Sequence, residues 1–256
     1  MTEISTERTI SLYLAREVSK ESQIETANQN DQNVINQSIP EQTRPRTPKN
    51  SFCSSTPNYQ NISFAGCGFM SIYHIGVASA IKEFSPKFFK NDIKKIYGCS
   101  AGSLVATALL VDFDLAKSCK TCLDIVDEVT KRPLGPLNPR FKLDPILRKA
   151  LEELCPEDIH VLASNKIFIS LTRVKDRKNV LVSNYKTRKE FIDALLCSCF
   201  VPFYSGVIPP TFQNTAYVDG GLSDNLPGNE KSTIRVSPFS GISSISPKDA
   251  SFSIAQ

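Results

Sequence analysis

Ser100 stands inside Gly98-Cys99-Ser100-Ala101-Gly102, between a strand-like run, Ile93–Tyr97, and a helix-like run, Ser103–Leu110. This G-x-S-x-G spacing in a strand–turn–helix setting constrains the chain more than any other feature. A strand that turns sharply into a helix needs small residues at the bend, and Gly98, Ala101 and Gly102 supply them. The helix that follows aims its N-terminal amides and the positive end of its dipole at the serine, which lowers the cost of negative charge there.

A second turn has the same character. Gly66, Cys67, Gly68, Phe69, Met70 and Ser71 follow a strand-like start, Asn61–Ala65, and precede a helical stretch, Ile72–Phe84, with apolar Ile75, Val77, Ala78 and Ile81. Such a loop offers backbone N–H groups to an anion. One reading is a dinucleotide fingerprint, but Ser71 stands where its third glycine belongs. The other is an oxyanion hole, whose donors contribute ~3–4 kcal/mol each to a tetrahedral acyl intermediate. A glycine loop and an elbow serine, each opening a helix, fit acyl transfer better.

The base is harder to find. The α/β-hydrolase order places a histidine after the serine and the acid, yet the chain has only His74 and His160, neither near the C-terminal end. His74 reads as a packed or half-exposed helix residue and His160 as a solvated loop residue. Asp219, in Tyr217-Val218-Asp219-Gly220-Gly221, is the carboxylate candidate. With an ordinary pKa of ~3.9 it is a poor base, so burial beside Ser100 would have to raise it. By itself, Asp-Gly-Gly reads as a turn.

Taken together and in this order, the runs 61–69, 96–102, 169–174, 206–210, 217–227 and 236–241 resemble the patatin-like phospholipase family, and within it the animal triacylglycerol lipases. The resemblance spans Asn61 to Gly241. It implies a three-layer α/β sandwich with a central, mostly parallel sheet and a nucleophile elbow. It further implies a Ser–Asp dyad, with Ser100 as nucleophile and Asp219 as base, Gly66–Ser71 as the oxyanion hole, and no metal or cofactor. The expected activity is hydrolysis of long-chain acylglycerol esters at a lipid-droplet or membrane surface, with a protein coactivator as a possible partner. The alternatives are a phospholipase A, an acylglycerol transacylase using the same dyad, or a non-catalytic lipid-droplet regulatory protein. Ser71 departs from the family's glycine, which would strain or crowd the loop if φ > 0 were required. The chain stops at Gln256, short of the apolar targeting region the resemblance implies, so it reads as a fragment, a short isoform or a minimal relative.

At 256 residues with 41% apolar content, the chain suits one catalytic domain, residues 58–241, with a tail at 242–256. Residues 1–57 are expected to be disordered, because Gln23–Asn50 is rich in Asn, Gln, Ser, Thr and Pro. No secretory pattern opens the chain, and no run approaches the ~18 apolar residues of a membrane span. The eight cysteines therefore read as reduced thiols of a cytosolic protein; Cys119 and Cys122 lack the further ligands a zinc site needs.

The rest reads as alternating α and β. Helices are expected over Phe113–Val129, from an Asp144 cap to Leu154, and over Lys189–Phe200. A strand pair is expected over Lys166–Val174 and Asn179–Asn184. The proline-broken stretch Phe200–Pro210 is a buried crossover, or else lines an acyl channel or meets lipid. Basic residues at 131, 132, 140, 142, 148 and 149, and at 173, 175, 177 and 178, read as solvated, with an anionic lipid face as the alternative. The net charge of +4 is modest, and no nucleic-acid module appears.

Overall fold

The computed structural model describes residues 59–85, 87–131, 143–202 and 204–247. The readings of 1–57, of Arg132, Arg140 and Lys142, and of most of the tail lie outside them. The fold is α/β: a mixed sheet flanked by helices. Strands β1 (Asn61–Phe64), β2 (Lys95–Cys99), β3 (Ile167–Arg173) and β7 (Thr233–Val236) form its parallel part, in the order β7-β1-β2-β3. Antiparallel β4 (Asn179–Val182), β5 (Thr211–Phe212) and β6 (Thr215–Asp219) complete one end. β1 is buried at all four positions, and β2 at its last four. Burial at nearly every position, polar Asn61 and Ser63 included, suits parallel strands covered on both faces.

The helices are α1 (Ser71–Phe84), α2 (Ala101–Leu110), α3 (Leu115–Thr130), α4 (Leu143–Leu154), α5 (Ile159–Ala163) and α6 (Arg188–Ser198). Local chemistry starts several of them. Asp114 caps α3, accepting from the amides of Ala116 and Lys117. Thr187 caps α6 through the Glu190 amide, while the Glu190 carboxylate returns to the Lys186 N–H. α4 begins one residue before Asp144, which lies in its first turn and is not its cap. One core cluster joins Ile62, Phe64, Ile75 and Val105; a second joins Ile169, Leu171, Phe191 and Leu195.

The expected hairpin 166–184 is present, as β3 pairs antiparallel with β4. Three elements were not expected. β5 has two residues, β7 four, and α5 is a single helical turn. His160 belongs to α5 and is half-buried, so it is not a solvated loop residue. The stretch after α6 is also not a fully buried crossover. Phe200 is buried, but Val207 and Ile208 are 78% and 86% exposed. The basic residues are partly paired: Arg148 bonds Asp193 across α4 and α6, and Arg173 bonds Asp176. No helix among the described residues is long and apolar enough to cross a membrane.

Candidate active site

Strand register brings Ser100 and Asp219 together. Along β3, Ser170 pairs with Cys99, the last residue of β2, and Leu171 pairs with Asp219, the last residue of β6. Ser170 and Leu171 also pair with Leu181 and Val180 of β4, which therefore occupies the opposite edge of β3. β2 and β6 thus share one edge and meet end to end, and the residue after β2 is Ser100.

The turn at Ser100 has φ 50° and ψ −126°, a backbone state costing ~1–3 kcal/mol that the surroundings must hold. The Ser100 N–H donates to Ser198 Oγ at 2.9 Å, and that hydroxyl donates to the Ser170 carbonyl at 2.9 Å. From the other side, the Ser103 amide and hydroxyl donate to the Ser100 carbonyl at 2.9 and 2.6 Å. Gly102 must stay glycine, because a Cβ there would overlap the Phe64 carbonyl at the end of β1.

Asp219 is 6% exposed. Burial pushes its pKa above the ordinary carboxylate value, while the nearby Ser100 hydroxyl and hydrogen bonds from the Gly221 amide and the Cys99 thiol pull it partly back. The Gly221 bond is 2.8 Å long and the Cys99 Sγ contact 3.6 Å. A thiol is a weak donor, so this shell leaves the carboxylate basic. Burial also raises the Cys99 and Cys199 thiols and pushes Cys67 up to about 12, which keeps all three protonated near neutral pH. The seven described cysteines are free.

Not every amide of the 66–71 loop is open. The Gly66 N–H donates to the Asn225 carbonyl, Met70 to Cys67, and Ser71 to Gly68. The N–H groups of Cys67, Gly68 and Phe69 have no acceptor among the described residues. The left-handed residue is Gly68, at φ 53°, with open space where a Cβ would lie. Ser71 has φ −53°, so its side chain strains nothing, and its hydroxyl lies 3.4 Å from Cys122 Sγ.

Ser100, Asp219, Gly221 and all the loop residues except Met70 border one cavity of about 580 Å³, within the ~300–1,000 Å³ of ligand sites. Its far wall is apolar: Leu104 and Ala108 of α2, Ile125 of α3, and Leu147 and Leu151 of α4. The expected elbow residues Gly98, Cys99 and Gly102, and Gly220 of the aspartate turn, support the site from behind. His74 takes no part in it. It is fully buried, its Nε2 bonds the Ala65 carbonyl at 2.8 Å, and burial lowers its pKa to about 4. Sequence reasoning missed Ser198, Asn225 and the α4 wall. Only the apolar spacing of Leu143, Leu147, Leu151 and Leu154 could have signalled the wall.

A strained serine after a parallel strand, sharing its cavity with a buried carboxylate at the end of antiparallel β6, defines an elbow-type α/β protein. The comparisons narrow the class. Residues 62–229 match the family model described as patatin-like phospholipase, and the chain belongs to that family. It is 50% identical over 195 residues to the patatin-like phospholipase domain-containing protein 2 of Rattus norvegicus, covering 76% of this chain and 41% of that one. The Homo sapiens counterpart is 49% identical over 195 residues, covering 76% and 38%. The 1-acylglycerol-3-phosphate O-acyltransferase Pnpla3 of Mus musculus is 43% identical over 189 residues, covering 73% and 46%. The chain thus spans roughly two fifths of the length of these curated relatives.

Proposed function

We propose that this chain is a serine lipase acting on long-chain acylglycerols, triacylglycerol foremost, through a Ser100–Asp219 dyad. The observation that carries the reading is a strained serine and a buried carboxylate, Ser100 and Asp219, bordering the same apolar cavity. The acyl chain lies along α2 and α4, with its ester carbonyl at Ser100. Asp219 takes the hydroxyl proton as Oγ attacks the carbonyl carbon. The N–H groups of Cys67, Gly68 and Phe69 receive the oxyanion. Collapse breaks the ester bond, the proton on Asp219 passes to the leaving alcohol, and an acyl-Ser100 ester remains. Water then attacks with Asp219 again as base, releasing the fatty acid and restoring the serine. Raised basicity serves this cycle, because a carboxylate of ordinary pKa accepts a proton too weakly.

Apolar residues exposed at or near the mouth suit a lipid surface: Val201 and Leu222 border the cavity at 38% and 62% exposure, and Val207 and Ile208 follow in the same segment as Val201. Association with droplets or membranes, from the cytoplasmic side and with a coactivator, is part of this proposal and is supported by the likeness to patatin-like phospholipase domain-containing protein 2.

A second reading keeps the dyad and replaces water by an acceptor alcohol, giving acyl transfer; the acyltransferase relative favours it. The test is fatty-acid release from emulsified triolein, with and without added diacylglycerol or lysophosphatidate. Lipase activity requires release that disappears in Ser100→Ala and Asp219→Ala. New acylated glyceride without net release would replace hydrolysis by transfer. A folded chain with neither activity would refute both.

A further inference from the structure

We propose that Asn225 is a positioning residue that locks the oxyanion loop to the aspartate turn, so that the oxyanion donors and the base are set as one unit. The proposal rests on the serine-dyad reading above.

Asn225 holds Gly66 at two points. Its main-chain carbonyl accepts the Gly66 N–H at 3.1 Å, and its Nδ2 donates to the Gly66 carbonyl at 3.1 Å. Both polar groups of the residue preceding the open amides are thereby fixed by a partner far away in the chain. The direction in which Cys67, Gly68 and Phe69 point their N–H groups is set from this anchor. The anchor is itself attached to the base. Asn225 closes the turn that Asp219 opens. In that turn the Ser223 and Asp224 amides donate to the Gly220 carbonyl at 2.9 and 2.8 Å. The Asp224 carbonyl accepts from Ser170 Oγ at 2.8 Å, which ties the turn to β3. The carboxamide is wedged between two glycines. A Cβ on Gly66 would come within 2.5 Å of Asn225 Oδ1, and one on Gly221 within 2.9 Å. Gly66 and Gly221 therefore make room for this side chain. It borders the cavity, yet the reaction assigns it no bond to make or break.

A linkage of this kind acts on the transition state. The oxyanion donors must stand where the tetrahedral oxygen forms, and an offset of about 1 Å costs on the order of 10²-fold in rate. Ground-state seating of the acyl chain depends on the α2 and α4 walls and is untouched.

The test compares the full chain with Asn225→Ala and Asn225→Asp, the second keeping the shape while removing the donor to Gly66. The readouts are inactivation by a long-chain alkyl fluorophosphonate, resolved into maximal rate and half-saturating concentration, and thermal unfolding. The latch predicts that the maximal rate of Ser100 labelling falls about 10²-fold in both variants, as for removal of an oxyanion donor. The half-saturating concentration stays within about twofold, and the variants remain folded at the assay temperature. Wild-type rates in either variant overturn the latch. So does a loss of rate that only tracks the unfolded fraction. A folded wild-type chain that never labels at Ser100 overturns the dyad reading itself, which distinguishes the two failures.

Discussion

Ser198→Ala is the most informative single change in the support of the elbow. The Ser198 side chain is fully buried and joins the Ser100 amide to the Ser170 carbonyl through two 2.9 Å hydrogen bonds. Alanine keeps the volume within one atom and deletes both bonds. Each group left unsatisfied in the interior costs ~1–3 kcal/mol. Part of this is recovered as Ser100 relaxes from φ 50°, a state that itself stores ~1–3 kcal/mol. The net loss in urea-unfolding free energy is therefore expected to be about 2–4 kcal/mol. The same relaxation moves Oγ away from Asp219, and kcat on a soluble long-chain ester should fall by roughly 10²-fold. Ser198→Cys retains a weaker donor and acceptor of similar size and should fall between the two on both measurements. A Ser198→Ala protein that loses less than about 0.5 kcal/mol, within the range of neutral surface changes, and keeps wild-type kcat would refute the claim that this hydroxyl holds the strained turn.

Three further outcomes are expected. Burial raises the Asp219 pKa, so the folded state holds this proton above the unfolded pKa, and its stabilising effect is lost as pH rises through the folded value. Asp219→Asn should therefore unfold at higher urea than wild type at pH 7, show little gain near pH 3, and have lost its activity. For His74 the sign is reversed: with a folded pKa of about 4 against 6.5, stability present above pH 6.5 should fall by about 3 kcal/mol as the pH drops to 4, and His74→Gln should flatten that dependence in urea titrations. Val207→Asp with Ile208→Asp should weaken binding to neutral-lipid emulsions while leaving kcat on a monomeric soluble ester within about twofold, because both side chains are largely solvent-exposed and lie outside the cavity wall.

Features written in consecutive residues were legible in the sequence. The two glycine turns and the hairpin around Lys175–Lys178 follow from local steric and hydrogen-bonding demands. Elements that exist only through pairing were not. β5 has two residues, and β7 carries Arg235 in a four-residue run, so neither shows the alternation of a strand; the ladder to β1 makes β7. The site divides in the same way. Ser100 announces itself through its glycines, whereas Asp-Gly-Gly alone reads as a turn and Asp219 stands out as a base only through the family resemblance. Ser198 reaches Ser100 across 98 residues and Asn225 reaches Gly66 across 159, separations at which no local pattern operates. Which loop amides are open was equally hidden, since Gly66 looks like a donor until Asn225 is seen to take its N–H. The stretch Phe200–Pro210 left a buried crossover and a lipid-facing segment open, and only the structure shows that Val207 and Ile208 stand in solvent.

The central claim is that acyl groups pass through Ser100 in a site where thiols crowd the nucleophile but stay protonated. The direct measurement is acid-quench trapping of the protein during turnover of a long-chain ester, followed by peptide mass mapping and hydroxylamine treatment. The account predicts one acyl group on Ser100 as an oxygen ester, which resists mild neutral hydroxylamine and is absent in Ser100→Ala. Acylation of Cys67, Cys99 or Cys199 as a labile thioester would contradict it, as would undiminished turnover in Ser100→Ala.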